Sequence, residues 1–149
     1  EQGAVLEQVA FTELQLDAPV RMDKLKRLMA DTRGYELHRP VLHKTTPEVE
    51  GWRLREQVPG FLPMSCHTRA VDGQTAGQAP MQWVFSDGLA SVSLFIELFD
   101  PSRHSAETQA VMGATHSLTR RVGQHWLTVM GEVPQPTLLR FAQSLERSR

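Results

Sequence analysis

Six histidines (His38, His43, His67, His104, His116 and His125) and one cysteine, Cys66, are the residues of this chain best suited to hold a metal or attack a substrate. Zinc sites gather such ligands at short, recurrent spacings, because neighbouring side chains must converge on one ion. No histidine pair here forms HxH, HxxxH or HExxH, and Cys66 has no second cysteine at finger spacing. A lone cysteine also excludes an intrachain disulfide. Ser86-Asp87 with a histidine can be written as a hydrolase. A nucleophilic serine, however, needs a Gly-x-Ser-x-Gly elbow or an equivalent strained turn, a positioned base and oxyanion donors. No elbow is present. Cys66, in a predicted strand between Ser65 and His67, reads as a half-buried, inert thiol. No glycine-rich phosphate loop occurs, and Trp83, Phe85 and Phe95 read as core rather than a base-stacking platform. The residues therefore predict no enzyme, no metal and no cofactor.

The elements that position these residues are mostly strands. Met81 to Glu97 predicts a β-hairpin, with Asp87-Gly88 at its tip between two runs of β-formers. A two-residue type I′ turn there pairs Phe85 with Ala90, Trp83 with Val92 and Met81 with Leu94. Alternation along a strand then places those residues and Ile96 on one greasy face. The opposite face carries Gln82, Ser86, Ser91, Ser93 and Glu97, with Val84, Leu89 and Phe95 among them. A second hairpin turns at Gly123-Gln124 and pairs Val122 with His125, Arg120 with Leu127 and Leu118 with Val129. Its apolar face holds Leu118, Val122, Leu127 and Val129; Thr119, Arg121, Trp126, Thr128 and Met130 fall on the other. His116 falls on the side of Leu118.

Shorter signals fill in the rest. Trp52 to Arg55 and Phe61 to Ala70 read as strands around a Val58-Pro59-Gly60 turn, and residues 72–78 as a flexible connection. Leu138, Phe141, Ala142 and Leu145 recur at i, i+3, i+4 and i+7, which predicts a C-terminal helix over 136–147 with Pro136 near its start. Upstream, Val5 to Leu16 reads as a strand whose partner lies elsewhere, Val20 to Ala30 as a short amphipathic helix, and Tyr35 to Glu50 as a linker or extended segment. The expected fold class is α+β: a small, mostly antiparallel sheet of two hairpins plus short strands, covered by a C-terminal helix. The expected boundaries are 1–17, a strand left from an upstream domain; 18–49, a short helix and linker; and 50–149, the sheet domain.

Composition narrows the classes of function. The chain has 149 residues, 40% hydrophobic and 22% charged, with a net charge of −1. These are globular values, and a nucleic-acid binder usually carries a broad basic footprint. Residues 101–149 hold six basic against three acidic side chains, a thin excess that favours an acidic protein segment or a lipid head group. No stretch approaches the ~18 apolar residues of a membrane span. With no initiator methionine or signal peptide, the chain reads as a piece of a longer protein.

Three motifs in order carry a family resemblance. Trp52 followed by Val58-Pro59-Gly60-Phe61, then Phe85-Ser86-Asp87-Gly88-Leu89 through Glu97, then Thr128-Val129-Met130-Gly131-Glu132-Val133-Pro134, closely resemble the C-terminal domain of the RseB/MucB family. Val58 stands where leucine is usual, and its proline and glycine are adjacent, a departure confined to that turn. The resemblance covers about residues 50–149. Leu6-Glu7-Gln8 with Phe11-Thr12 also resembles the last strand of the family's N-terminal, lipoprotein-carrier-like domain.

The resemblance implies a periplasmic, non-enzymatic regulator of the envelope-stress sigma factor. Its partner is the periplasmic part of an anti-sigma factor (RseA or MucA), which it shields from proteases. Lipid or lipopolysaccharide is expected to act through the N-terminal domain. The residues nominate Trp126, Arg120 and Arg121 as partner-contacting anchors, because Arg and Trp recur as interface hot spots. The alternative for Trp126 is packing under the linker or the missing domain. Val5 to Leu16 can also pair with a second copy, giving a homo-oligomer. The competing class is a lipid or lipoprotein carrier, which needs an enclosed apolar cavity.

Overall fold

The computed structural model describes residues 5, 7–35, 41–70 and 79–148. The chain divides into two compact units, one of Gln8–Arg39 and one of Glu1–Glu7 with Pro40–Arg149. The smaller unit contains helix α1 (Met22–Ala30), close to the predicted span. Asp23 in its first turn pairs with Arg27 one turn on, at 2.7 Å, an exposed i,i+4 pair worth a few tenths of a kcal/mol. No residue of α1 is buried. Residues 5 and 7–16 form no strand, contrary to the sequence expectation, and Val5, Val9, Phe11, Leu14 and Leu16 are exposed. A strand needs a ladder partner for its N–H and C=O groups, and none of the described strands pairs with this segment.

The larger unit is a seven-stranded antiparallel sheet in the order β1-β3-β4-β5-β8-β7-β6, with a two-stranded sheet, β2-β9, beside it. The strands are β1 (Val41–Lys44), β2 (Trp52–Leu54), β3 (Leu62–Ala70), β4 (Met81–Ser86), β5 (Ser91–Leu98), β6 (Thr108–Met112), β7 (Thr115–Val122), β8 (His125–Gly131) and β9 (Leu145–Arg147), with helix α2 (Gln135–Ser144) between β8 and β9. This is the expected α+β class. Strand β1 lies in what the sequence presents as linker, pairing Lys44 with His67 and Val41 with Ala70. Residues 72–78, expected to be a flexible connection, and His38 lie outside the described residues.

The second hairpin has the predicted register, Val122 with His125 and Leu118 with Val129, about Gly123 at φ 61°. The first does not. Phe85 pairs with Val92, Trp83 with Leu94 and Met81 with Ile96, two residues away from the two-residue-turn register. Asp87 keeps a negative φ, so a type I′ turn is closed to it; Gly88 alone takes the left-handed conformation, at φ 94°. Asp87 instead accepts hydrogen bonds on Oδ1 from the N–H groups of Leu89 and Ala90, at 2.9 and 2.7 Å. That wraps residues 87–90 into a four-residue loop. An even shift leaves every side chain on its predicted face, and Trp83, Phe85, Val92, Leu94 and Ile96 are all buried.

Helix α2 closes that apolar face. Leu138 and Phe141 are fully buried, and the Phe141 ring centroid lies 4.9 Å from that of Phe85 and 5.5 Å from that of Phe61. Each such side chain contributes about 1.5–3 kcal/mol on burial. The helix ends at Ser144 rather than 147, because Leu145–Arg147 pair with Leu54–Trp52 as β9. Arg55 N–H donates to Ser144 O at 2.7 Å across the same junction.

Candidate binding surface

Packing of α2 on one side leaves the other side of the sheet as the open face. Cross-strand register assembles it in rows. One row runs Lys44, His67, Gln82, Phe95, Thr128, Thr119 and Thr108 across all seven strands. A neighbouring row runs Ser65, Val84, Ser93, Met130, Ser117 and Ala110. The face is thus mostly hydroxyl and amide, with Val84, Phe95 and Met130 as apolar inserts. Near β1 it sinks into a hollow of about 430 Å³ with Leu42, Arg69, Phe95 and Arg103 in its lining. Among the described residues no strand pairs with the outer side of β1 or of β6, and every residue of both is exposed. Open edges present unpaired N–H and C=O groups to an incoming strand.

Trp126 sits on the open face but is not free. The turn after β5 folds over it: His104 stacks on its ring at 4.9 Å and 10°, and Phe99 approaches at 5.9 Å. His104 Nδ1 accepts the Asp100 N–H at 2.9 Å, while the His104 N–H donates to Asp100 O at 2.8 Å. With Nδ1 an acceptor, the neutral ring carries its proton on Nε2, which faces Glu97 Oε1 at 3.3 Å. Arg103 reaches the other oxygen of Glu97 at 3.1 Å. The hydroxyl and N–H of Ser102 hold the Asp100 carboxyl below the usual carboxylate range. Trp126 is left only 7% exposed.

The two arginines separate. Arg121 is the cross-strand neighbour of Trp126 on the open face, and its guanidinium carbon lies 4.2 Å from the Phe99 ring centroid. Arg120 pairs with Leu127 on the α2 side. Its Nε is buried without a hydrogen-bond partner, as is Nδ1 of His116 further up the same strand. Of the three nominated anchors, Arg121 and Trp126 therefore share a face and Arg120 does not. Phe99 and His104, which cover the tryptophan, are absent from the sequence-derived set. Their signal is an aromatic and a histidine flanking the Asp100-Pro101-Ser102 turn.

The remaining chemistry-bearing groups have structural surroundings. Cys66 is buried opposite Trp83, and burial, with the Glu50 and Glu48 carboxylates adding, pushes its thiol up to about 11. Ser86 Oγ donates to Ala90 O at 2.8 Å and accepts the Gly88 N–H at 3.0 Å, closing the hairpin loop. His125 meets Trp52 edge to face at 4.9 Å, and burial, then the Arg147 charge, hold its imidazole below the ordinary value. Among the described residues no three His, Cys, Asp or Glu side chains converge as a metal site.

The architecture is an open α+β sheet with one face covered by a helix. The family model of the MucB/RseB C-terminal domain matches residues 46–146, and the chain belongs to that family. Two solved structures resemble it. The crystal structure of MucB in complex with MucA(peri) is 26% identical, with a TM-score of 0.53 over 66% of this chain and 37% of that one. The complex structure of Pseudomonas aeruginosa MucA/MucB is also 26% identical, with a TM-score of 0.53 over 66% of this chain and 35% of that one. The chain thus spans little more than a third of the length of those proteins. No curated protein matches it.

Proposed function

We propose that this chain is a non-enzymatic regulatory binding domain that contacts the periplasmic part of a MucA- or RseA-type anti-sigma factor, protects it from proteolysis and so controls an envelope stress response. The observation that carries the reading is the family match over residues 46–146, joined to the likeness with MucB chains whose structures are complexes with MucA. The surface chemistry supports it: a polar open face and two unpaired edges suit an extended partner segment. The periplasm is the compartment this function requires. Among the described residues no helix is long and apolar enough to cross a membrane.

The contact surface is proposed to include Arg121 and, where the residue 99–104 turn lifts, Trp126. Calorimetric titration of the chain with the periplasmic segment of its cognate anti-sigma factor tests the function directly. Saturable binding is expected. Absence of heat and of complex by gel filtration, with a full-length family member binding the same segment, defeats the reading for this domain.

A further inference from the structure

Strand β6 stops short of its neighbour. It pairs with β7 only from Thr108 opposite Thr119 to Met112 opposite Thr115, while β7 runs on to Val122. Arg120, Arg121 and Val122 therefore have β8 on one side and no strand on the other. The missing length leaves a hollow of about 560 Å³, with Glu107, Gln109, Leu118, Thr119, Arg120 and Leu139 in its lining.

Three features of the hollow point to one ligand chemistry. The first is Arg120, a part-exposed side chain in the lining whose Nε is buried and has no hydrogen-bond partner among the described residues. A guanidinium carries five donors and a permanent charge, and an orphaned buried donor is costly, so it is retained where a partner arrives. The second is the length of β7 past Thr119 that no described strand pairs; an extended segment pairs there by taking over the Arg121 N–H that Glu107 holds. The third is how the chain treats that edge. Glu107 Oε1 accepts the backbone N–H of Arg121 at 2.8 Å, a carboxylate standing where the absent strand would be. Glu107 forms no ion pair with Arg120 among the described residues. Leu118 and Leu139 give the hollow an apolar wall for a side-chain stem.

We infer that the hollow at the end of β6 is a carboxylate-binding subsite, with Arg120 as its anchor and an acidic side chain of an extended partner segment as its ligand. The inference adds a contact at the end of β6 to the open-face contact proposed above and rests on that reading only for the partner's identity. Planar guanidinium and carboxylate groups match as paired, charge-assisted hydrogen bonds. The Glu107 carboxylate in the lining opposes any anion, a doubly charged phosphate more than a singly charged carboxylate.

The test uses the whole chain labelled with ¹⁵N-arginine, the Arg120 Nε–Hε resonance being identified by its loss in Arg120→Met. The first probe is a short, blocked threonine–valine peptide with a central glutamate, alongside its glutamine counterpart. The Arg120 resonance is expected to shift saturably with the glutamate peptide and about tenfold more weakly with the glutamine one. An unmoved resonance, or equal response to both peptides, overturns the subsite. The second probe is the cognate periplasmic anti-sigma segment. Arg120→Met is expected to raise its Kd about 30-fold or more without lowering the Tm of the free chain, since a partnerless donor is removed. A Kd within twofold of the parent overturns the inference. Should Arg120→Met lower the Tm, Arg120→Lys keeps the charge and stem but lacks the fork, and the same twofold limit applies to it. A segment that fails to bind the unaltered chain defeats the partner reading, while the peptide arm still decides the subsite.

Discussion

Gly131 lies in β8, between Val92 of β5 and His116 of β7, and Gly131→Ala is expected to destabilise the sheet domain substantially. A Cβ built there falls 2.4 Å from the Ser91 carbonyl oxygen, 3.2 Å from Val92 Cγ2 and 3.3 Å from Val92 Cα. Close carbon–oxygen contacts between strands settle near 3.3–3.6 Å, so β5 must retreat by about 1 Å. The obstructing atom is backbone, and Val92 behind it is fully buried, so no flexible side chain can give way. Overpacking of this kind costs about 1–3 kcal/mol. Replacing glycine restricts the unfolded chain and offsets roughly 0.5–1 kcal/mol of that. At the middle of both ranges the net loss is about 1.3 kcal/mol, which lowers Tm by roughly 5–10 °C in a domain of about 100 residues. Thermal unfolding followed by circular dichroism reads it, with a urea titration to confirm that m is unchanged. A Tm within 2 °C of the parent would refute the reasoning, because it would mean that the β5–β8 spacing yields without cost. The same contact explains why the Gly131-Glu132 motif needs its glycine: it is a matter of space, since Gly131 does not take a positive φ.

Three further outcomes follow from the local chemistry. The folded state keeps the Cys66 proton up to about pH 11, whereas an unfolded thiol loses it near pH 8.5. Stability therefore falls as pH rises through that window, and Cys66→Ala is expected to flatten the slope; parallel Tm–pH curves for the two proteins would count against it. The N–H groups of Ala90 and Leu89 hold the Asp87 carboxyl below its usual range, so its contribution is present above the ordinary carboxylate pKa and lost as pH falls through the lowered one. Asp87→Ala is expected to be less stable than the parent at pH 7 and to converge with it in acid, which urea titrations at the two pH values will show. Trp52, Trp83 and Trp126 are all buried, so acrylamide should quench the native chain weakly. His104→Ala removes the ring stacked on Trp126 and is expected to raise the quenching constant; an unchanged constant means that Phe99 alone suffices as the cover.

What the sequence shows and what it conceals follow from what each residue buries. The apolar faces of both hairpins are legible because alternation survives any even error of register. Reading Asp87-Gly88 as a two-residue turn displaces every pair in the first hairpin yet leaves Trp83, Phe85, Val92 and Leu94 inside. The loop type is not legible, since the Asp87 side chain, rather than a positive backbone φ, closes it. Strand β1 is hidden for the opposite reason: all four residues are exposed, and an edge strand that buries nothing leaves no period. At the other end, Leu145 is buried as the first residue of β9, and the same leucine completes a helical i, i+7 spacing. Only the ladder to β2 decides between the two.

The paired arginines carry the lesson furthest toward function. Adjacent residues in a strand cannot share a face, and the register read for the second hairpin already set Arg120 against Leu127. A surface patch containing both Arg120 and Arg121 was therefore excluded by the same inference that made the hairpin. The structure adds what alternation alone does not supply. On the open face Arg121 is engaged, its guanidinium over Phe99 and its Nε donating to Gly123 O at 2.8 Å. On the covered side Arg120 is left with an unanswered donor where β6 ends. An arginine that packs and bonds within its own chain needs no partner to satisfy it. An arginine whose Nε is buried beside a length of sheet that no described strand pairs is the one for which the inferred subsite supplies a partner, while Arg121 stays with the contact proposed for the open face.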